Sequence, residues 1–255
     1  MATSTPVALS SERRRLAGFC WRIVEAQHRI STLKLVDTLA EQARLEELLE
    51  ASKPLLPPDC GRLHYLLSTP FRYGAPYPYG SRFRRAGLTP GVFYASKGVS
   101  TAVAETAFHR LLFFADSPGT PWPDNAGEFT AFSARYRTAA GLDLTVAPFD
   151  QDRATWTHPT DYAPCQAFAD QARTIGVEVL RYPSARDPGP VHGMNVALLA
   201  CRAFASREPV ERQTWRLHLG ESGVRAIGVF PDSRLEFDRA AFAHDPRIAR
   251  LRWTR

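Results

Sequence analysis

Hydrophobic and polar positions along the chain repeat at two different periods. From Ser100 to Ala115, Val103, Ala107, Phe108, Leu111 and Leu112 recur three or four positions apart, which predicts a helix with one buried side. Thr38 and Glu41 form a T-x-x-E capping box ahead of Leu45, Leu48 and Leu49, predicting a second helix that Pro54 ends. Pro164 to Ile175 reads as a third helix, and Asp238 to His244 as a last short one. Short apolar runs at Val92–Ala95, Phe129–Tyr136, Leu142–Val146, Val177–Tyr182 and Asn195–Phe204 predict strands. Thr214–Leu219 and Val224–Phe230 flank Gly220-Glu221-Ser222-Gly223 as a hairpin. Strands outnumber helices beyond Arg62 and do not alternate regularly with them, so the expected class is α+β with a largely antiparallel or split sheet.

The N-terminal part reads differently. Residues 1–12 are polar, Gly18 to Ile30 mixes aromatic and polar side chains, and Pro54 to Asp59 is a proline-rich connector. The expected organisation is a tail and helical extension over 1–58, its helical part at 13–53, followed by a main domain over 59–255. With 255 residues, 44% hydrophobic and 23% charged, the chain can bury a sizeable core, which excludes a disordered or fibrous chain. No apolar run approaches the roughly 20 residues that span a bilayer. The polar start carries no apolar signal core, so a cytoplasmic protein away from membranes is expected. Cys20, Cys60, Cys165 and Cys201 are scattered, without zinc spacing; they are expected as reduced thiols, and no metal is expected.

Charge narrows the partners. The net charge is +6 and arginine carries it, since lysine occurs only at Lys34, Lys53 and Lys97. Guanidinium groups grip phosphate with paired hydrogen bonds. Gly80-Ser81-Arg82-Phe83-Arg84-Arg85 is a glycine-led loop of three arginines close to Tyr73 and Tyr94, which suits an anionic ligand carrying a flat ring. Glu105 falls eleven positions after Tyr94. A strand, a turn and about one helical turn would bring its carboxylate to the same cleft. There it could stabilise an oxocarbenium-like transition state on a ribose. Ser184, in Tyr182-Pro183-Ser184-Ala185-Arg186 ahead of Gly193 and Asn195, could orient a substrate.

Each of these residues also has an ordinary reading. A lone arginine such as Arg72 is usually a solvated charge, and Tyr73 and Tyr94 are core aromatics by default. Glu105 and His109, four apart, are usually a surface pair. Ser184 could be a turn residue. Asp187 and His192 near Ser184 invite a Ser-His-Asp reading, but no nucleophile elbow accompanies them. His28 reads as structural. A basic nucleic-acid-binding module would explain the charge, yet no DNA- or RNA-binding signature accompanies it.

The ordered set Arg72, Arg82, Tyr94, Glu105, then Tyr-Pro-Ser-x-Arg with Ser184 and Arg186, resembles the RES domain, over about residues 62–235. The resemblance implies an ADP-ribosyltransferase-like fold and a toxin of a RES–Xre toxin–antitoxin module. Such a toxin takes NAD+ as substrate, without a metal, and cleaves the bond between nicotinamide and ribose by hydrolysis or phosphorolysis. A protein-directed ADP-ribosyltransferase modifying a host metabolic enzyme is the alternative. By the same resemblance Glu105, Arg72 and Ser184 are catalytic. Arg72, Tyr73, Arg82, Tyr94 and Ser184 bind NAD+, with Arg82 and Arg84 both open as the phosphate ligand. An Xre-type antitoxin would cover the site in a hetero-oligomer and would itself bind the DNA.

Overall fold

In this computed structural model the described residues are 6–26, 32, 35–74, 80–87, 89–189 and 193–254, and among them eight strands form one sheet. The strands are β1 (Arg14–Glu25), β2 (Phe93–Ser96), β3 (Gly127–Asp143), β4 (Val179–Pro183), β5 (Met194–Leu198), β6 (Arg212–Gly220), β7 (Gly223–Gly228) and β8 (Ser233–Asp238). The α-helices are α1 (Pro6–Ser11), α2 (Leu39–Ser52), α3 (Tyr65–Ser68), α4 (Val99–Asp116), α5 (Arg153–Trp156), α6 (Ala163–Thr174) and α7 (Pro246–Ala249).

The spatial order is β1-β2-β5-β4-β3-β6-β7-β8, and β1 also pairs with β3, so the first five strands close on themselves. The length of β3 makes this possible. One of its edges runs antiparallel along β1, from Arg14↔Gly141 to Glu25↔Phe129. Its other edge pairs antiparallel with β6 over its first half and parallel with β4 at its end. The result is an α+β architecture with a mixed sheet and flanking helices.

Three apolar clusters hold the layers. Val103, Ala107, Phe108 and Leu111 of α4 pack against Trp215, Leu217, Val224 and Phe242. Phe168, Ala169 and Ala172 of α6 pack against Leu142, Leu180, Tyr182 and Phe83. Phe93, Phe132, Val179 and Leu198 fill the closed part of the sheet. Burying a large apolar side chain contributes about 1.5–3 kcal/mol, so these faces dominate stability. No helix among the described residues is long and apolar enough to cross a membrane.

Several sequence expectations need correction. Residues 14–25, read as part of a helical extension, are strand β1, paired with β3 along its length. Their alternation was hidden because both faces are partly apolar: Leu16 and Cys20 face the closed interior, while Trp21 and Ile23 pack beside α4. Phe129–Tyr136 and the start of Leu142–Val146 lie on one strand, because Gly141 pairs with Val179 instead of turning; the strand ends at Asp143, and residues 144–146, expected as strand, turn away from it. The strand expected to run to Phe204 ends at Leu198 and gives way to a 3-10 turn at Cys201–Ala203. Asp238–His244 is not a helix; β8 precedes it and α7 follows. The capping box of α2 forms as read, with Glu41 N–H donating to Thr38 Oγ1 at 3.2 Å. Leu48 and Leu49 of that helix nevertheless remain exposed. His28, His192 and the start of the tail lie outside the described residues.

The expectation of four thiols is also corrected. Cys60 and Cys201, 141 residues apart, form a disulfide with Cα atoms 5.4 Å apart, while Cys20 and Cys165 are free and buried. No local spacing could announce a pair so distant in sequence. Closing a loop of this length limits the unfolded chain, so Cys201→Ser is expected to lower stability by about 4 kcal/mol. Denaturant titration of the variant, and of the native chain with reductant, checks this; both should fall together.

Candidate active site

The loop between Gly80 and Arg85 is a short reversal, with Ser81 and Arg84 exchanging backbone hydrogen bonds at 2.8 and 3.1 Å. Gly80 makes the turn at φ +69°, where a Cβ would run into the Arg84 carbonyl. Phe83 is the anchor: it is fully buried, edge-on to Tyr182 at 4.8 Å. Five further contacts pin the loop. Tyr94 Oη accepts from Phe83 N–H at 2.9 Å and bonds Ser81 Oγ at 2.9 Å. Gln166 Nε2 donates to the carbonyls of Ser81 and Arg84, and Arg173 to that of Phe83. Burial pushes the Tyr94 phenol up, so it stays protonated in this role.

This bracing separates the three arginines. Arg84 is buried and its guanidinium donates to the carbonyls of Thr89 and Tyr73. Arg85 is exposed and paired with Asp170 at 2.7 Å. Arg82 is also buried, lies 4.9 Å over the Tyr162 ring, and neither of its terminal nitrogens has a hydrogen-bond partner among the described residues. A buried guanidinium without an acceptor is costly unless a ligand supplies one. Arg82 therefore differs in kind from its two neighbours.

Arg82 and Tyr94 line a cavity of about 1030 Å³ whose other walls include Glu105 and His109 of α4, Trp21 to Ile23 of β1, Tyr182, Arg186, Asn195 and Arg247. Glu105 is half-buried here. Its Oε1 accepts from Ser184 Oγ at 2.7 Å and from Asn195 Nδ2 at 2.6 Å. Both donors are oriented by other bonds. Ser184 Oγ accepts the N–H groups of Arg186 and Asp187, at 3.2 and 3.0 Å, which turns its own proton towards the carboxylate. Asn195 Oδ1 accepts from Ser96 Oγ at 2.7 Å, which fixes the amide with its NH₂ towards Glu105. Burial opposes the charge on Glu105, but the Arg186 cation, His109 and these two donors outweigh it and hold the carboxyl below its ordinary value.

The strands explain why these groups meet. β5 pairs with β2 on one side, placing Asn195 opposite Ser96, and with β4 on the other, placing Asn195 opposite Tyr182 two residues before Ser184. Gly193 then lets the chain pass: its carbonyl accepts Ser184 N–H at 2.7 Å, and a Cβ there would collide with Thr101 and Asp187. His109 lies one helical turn beyond Glu105 on the same wall. Surrounding protein and the cations Arg186 and Arg247 pull its imidazole down to about 4, against the pull of Glu105. His109 is nevertheless exposed to water. Water there weakens the desolvation but leaves its direction. Burial also pulls Arg22 down to about 10, so it is still a cation at neutral pH. Five arginines and two carboxylates line the cavity among the described residues, a surplus of positive charge suited to an anion. No group of His, Cys, Asp and Glu among them could hold a metal.

Of the residues singled out in the sequence, Glu105, Ser184, Arg82 and Tyr94 converge on this cavity, Ser184 through its bond to Glu105. Arg72 and Tyr73 do not. They line a second cavity of about 430 Å³ beside the disulfide, where Arg72 Nη1 pairs with Glu50 Oε1 of α2 at 2.7 Å. The contact ties α2 to the domain, which explains an arginine at that position. Asn195 and Ser96 had no assigned role in the sequence. Their signal was a polar residue inside an otherwise apolar strand, which needs a buried partner. His109, read as half of a surface pair, faces the cavity instead.

Two predictions follow from this geometry. Ser184→Ala and Asn195→Ala each remove a donor to the charged form, so each should raise the Glu105 pKa. Carboxyl-carbon NMR titration reads the shift. In addition, Glu105 and His109 both sit below their ordinary values of 4.5 and 6.5. The unfolded chain therefore binds protons first, and stability should fall with acidification, from about pH 6.5 for the His109 part and further below about 4.5 for Glu105. Unfolding measured across pH with His109→Gln, which should flatten the upper limb, checks the assignment.

Comparison with known proteins bears on this cavity. No curated protein matches the chain. A chain of the crystal structure of the M. tuberculosis MbcT–MbcA toxin–antitoxin complex aligns at 13% identity and a TM-score of 0.44, covering 94% of this chain and 96% of that one, a likeness too distant to argue from. The RES domain model matches residues 56–220, most of the chain and nearly all of the cavity wall, with β1 before it and Arg247 after it. The chain belongs to the RES domain family.

Proposed function

We propose that this protein cleaves the nicotinamide–ribose bond of NAD+ and is the toxin of a RES–Xre toxin–antitoxin module. The observation that carries the reading is a single carboxylate, Glu105, held ionised by two oriented donors inside a cavity of surplus positive charge. Breaking the glycosidic bond sends its electron pair to the pyridinium nitrogen. Nicotinamide leaves neutral and the positive charge passes to the ribose. A fixed carboxylate beside that ribose stabilises the developing cation more than the ground state, which is the condition for catalysis. Glu105 Oε1 is engaged by Ser184 and Asn195, while Oε2 has no hydrogen bond among the described residues and is the oxygen left for the substrate. An acceptor, water or phosphate, then donates a lone pair to the ribosyl carbon and loses its proton.

The surrounding residues have distinct tasks in this reading. Arg82 supplies, for the pyrophosphate, the two guanidinium nitrogens that have no hydrogen-bond partner among the described residues. Tyr94 presents its ring at the wall while its hydroxyl fixes the arginine loop. Ser184 and Asn195 are positioning residues, acting through Glu105. Arg72 and Tyr73, removed from the cavity, have no substrate contact in this reading. An Xre-type antitoxin covering the open cavity would keep the toxin silent in a cytoplasmic hetero-oligomer, and it, not this chain, would bind DNA.

The test is nicotinamide release from NAD+ by the purified chain, with and without phosphate, followed by identification of the ADP-ribose product. Covalently labelled protein in lysate would instead favour transfer to a protein acceptor. Glu105→Gln should lower kcat by about 10²–10³-fold with folding intact. Arg82→Ala should act mainly on KM. No release by the native chain free of antitoxin, or full turnover by Glu105→Gln, overturns the proposal.

A further inference from the structure

The cavity does not end at Glu105. Its lining continues along α4 through His109 and Arg110 to Phe113 and includes Ile23 of β1. Phe113 is 51% exposed although it is a large aromatic. A single exposed aromatic needs no explanation, but this one lines the cavity together with Leu112, Ile23 and Trp21. Arg110 stands between it and Glu105. Its guanidinium lies 5.9 Å from the Phe113 ring, and Nη1 is held at the rim by Glu25 at 2.8 Å. Its Nε is buried without a partner among the described residues.

Helix geometry sets the spacing. Eight residues separate Glu105 from Phe113, about 12 Å along the axis. That lies within the span of two ribosides joined by a pyrophosphate. Along the cavity side of α4, Glu105, Arg110 and Phe113 thus follow in the order in which the proposed substrate presents a ribosyl cation, a pyrophosphate and a purine, with Asp116 beyond them. We infer that Phe113 is the stacking platform for the purine of the substrate and that Arg110 meets the phosphate beside it, so that α4 measures the dinucleotide along its length. The inference rests on the reading of the cavity as a dinucleotide site and adds its specificity. Mononucleotides lacking the purine would miss the outer contact.

The experiment is equilibrium binding by calorimetry with the purified full chain, using ADP and nicotinamide mononucleotide as separate probes. Base–aromatic stacking lost to alanine typically weakens binding by roughly tenfold or more. Phe113→Ala should therefore weaken ADP by about that factor and leave nicotinamide mononucleotide unchanged, and Phe113→Tyr should restore ADP binding. Because Phe113 is half outside the core, the variant should fold, and thermal unfolding verifies it. Failure of the native chain to bind ADP overturns the inference, as does an ADP affinity indifferent to Phe113 or equal losses for both probes. If ADP binding depends on Phe113 but the native chain releases no nicotinamide from NAD+, the purine subsite stands and the proposed reaction falls. If nicotinamide is released and the KM for NAD+ is untouched by Phe113→Ala, the reaction stands and the subsite falls.

Discussion

A carboxylate removed from bulk water loses several kcal/mol of hydration and stays ionised only where donors and cations replace the lost water. Glu105 meets that condition, and much of the surrounding architecture serves it. Its donors Asn195 on β5 and Ser184 just after β4 meet because those two strands pair, and β2 on the other side of β5 brings Ser96 to Asn195. Each donor is in turn oriented, Ser184 by two backbone N–H groups and Asn195 by Ser96. A carboxylate on a helix face that was free to rotate could be matched by any exposed glutamate. One held by a chain of directional bonds is preorganised, and preorganised charge stabilises a transition state without reorganising when the bond breaks.

The arginines divide along the same line of reasoning. A high arginine content does not by itself make a binding site, because most guanidinium groups in this fold are matched by protein acceptors. Arg84 satisfies carbonyls at the base of its own loop, Arg85 pairs with Asp170, and Arg72 fastens α2 through Glu50. Arg82 is the member of its loop held in the interior with its terminal nitrogens unmatched among the described residues. The loop can hold a guanidinium in that costly position because Phe83, Tyr94, Gln166 and Arg173 determine its backbone independently of any ligand. The cavity is also wider than the span matched by the family model, since β1 and Arg247 contribute walls from outside it.

Elements with one buried face were legible in the chain. The α4 periodicity, the α6 helix, the capping box of α2 and the glycine-bounded hairpin of β6 and β7 all carry signals within a few residues of one another. Elements whose burial comes from distant partners were not. β1 looked irregular because apolar residues lie on both of its faces, and β3 looked like two strands because it changes partners along its length. The Cys60–Cys201 pair was invisible for the same reason.

Residue chemistry and its order along the chain were enough to nominate Glu105, Ser184, Arg82 and Tyr94 and to suggest an anionic ligand, because acids, hydroxyls and guanidinium groups keep their chemistry wherever they lie. Whether such groups face one another is a property of strand order and register, which no short stretch of sequence encodes. Only the folded chain separates Arg82 from Arg72 and Arg84, turns the Ser184 proton towards Glu105 and brings Asn195 in as its second donor. The two bonds to Glu105 join residues 79 and 90 positions apart, and directional bonds of that reach exist only after the sheet has closed.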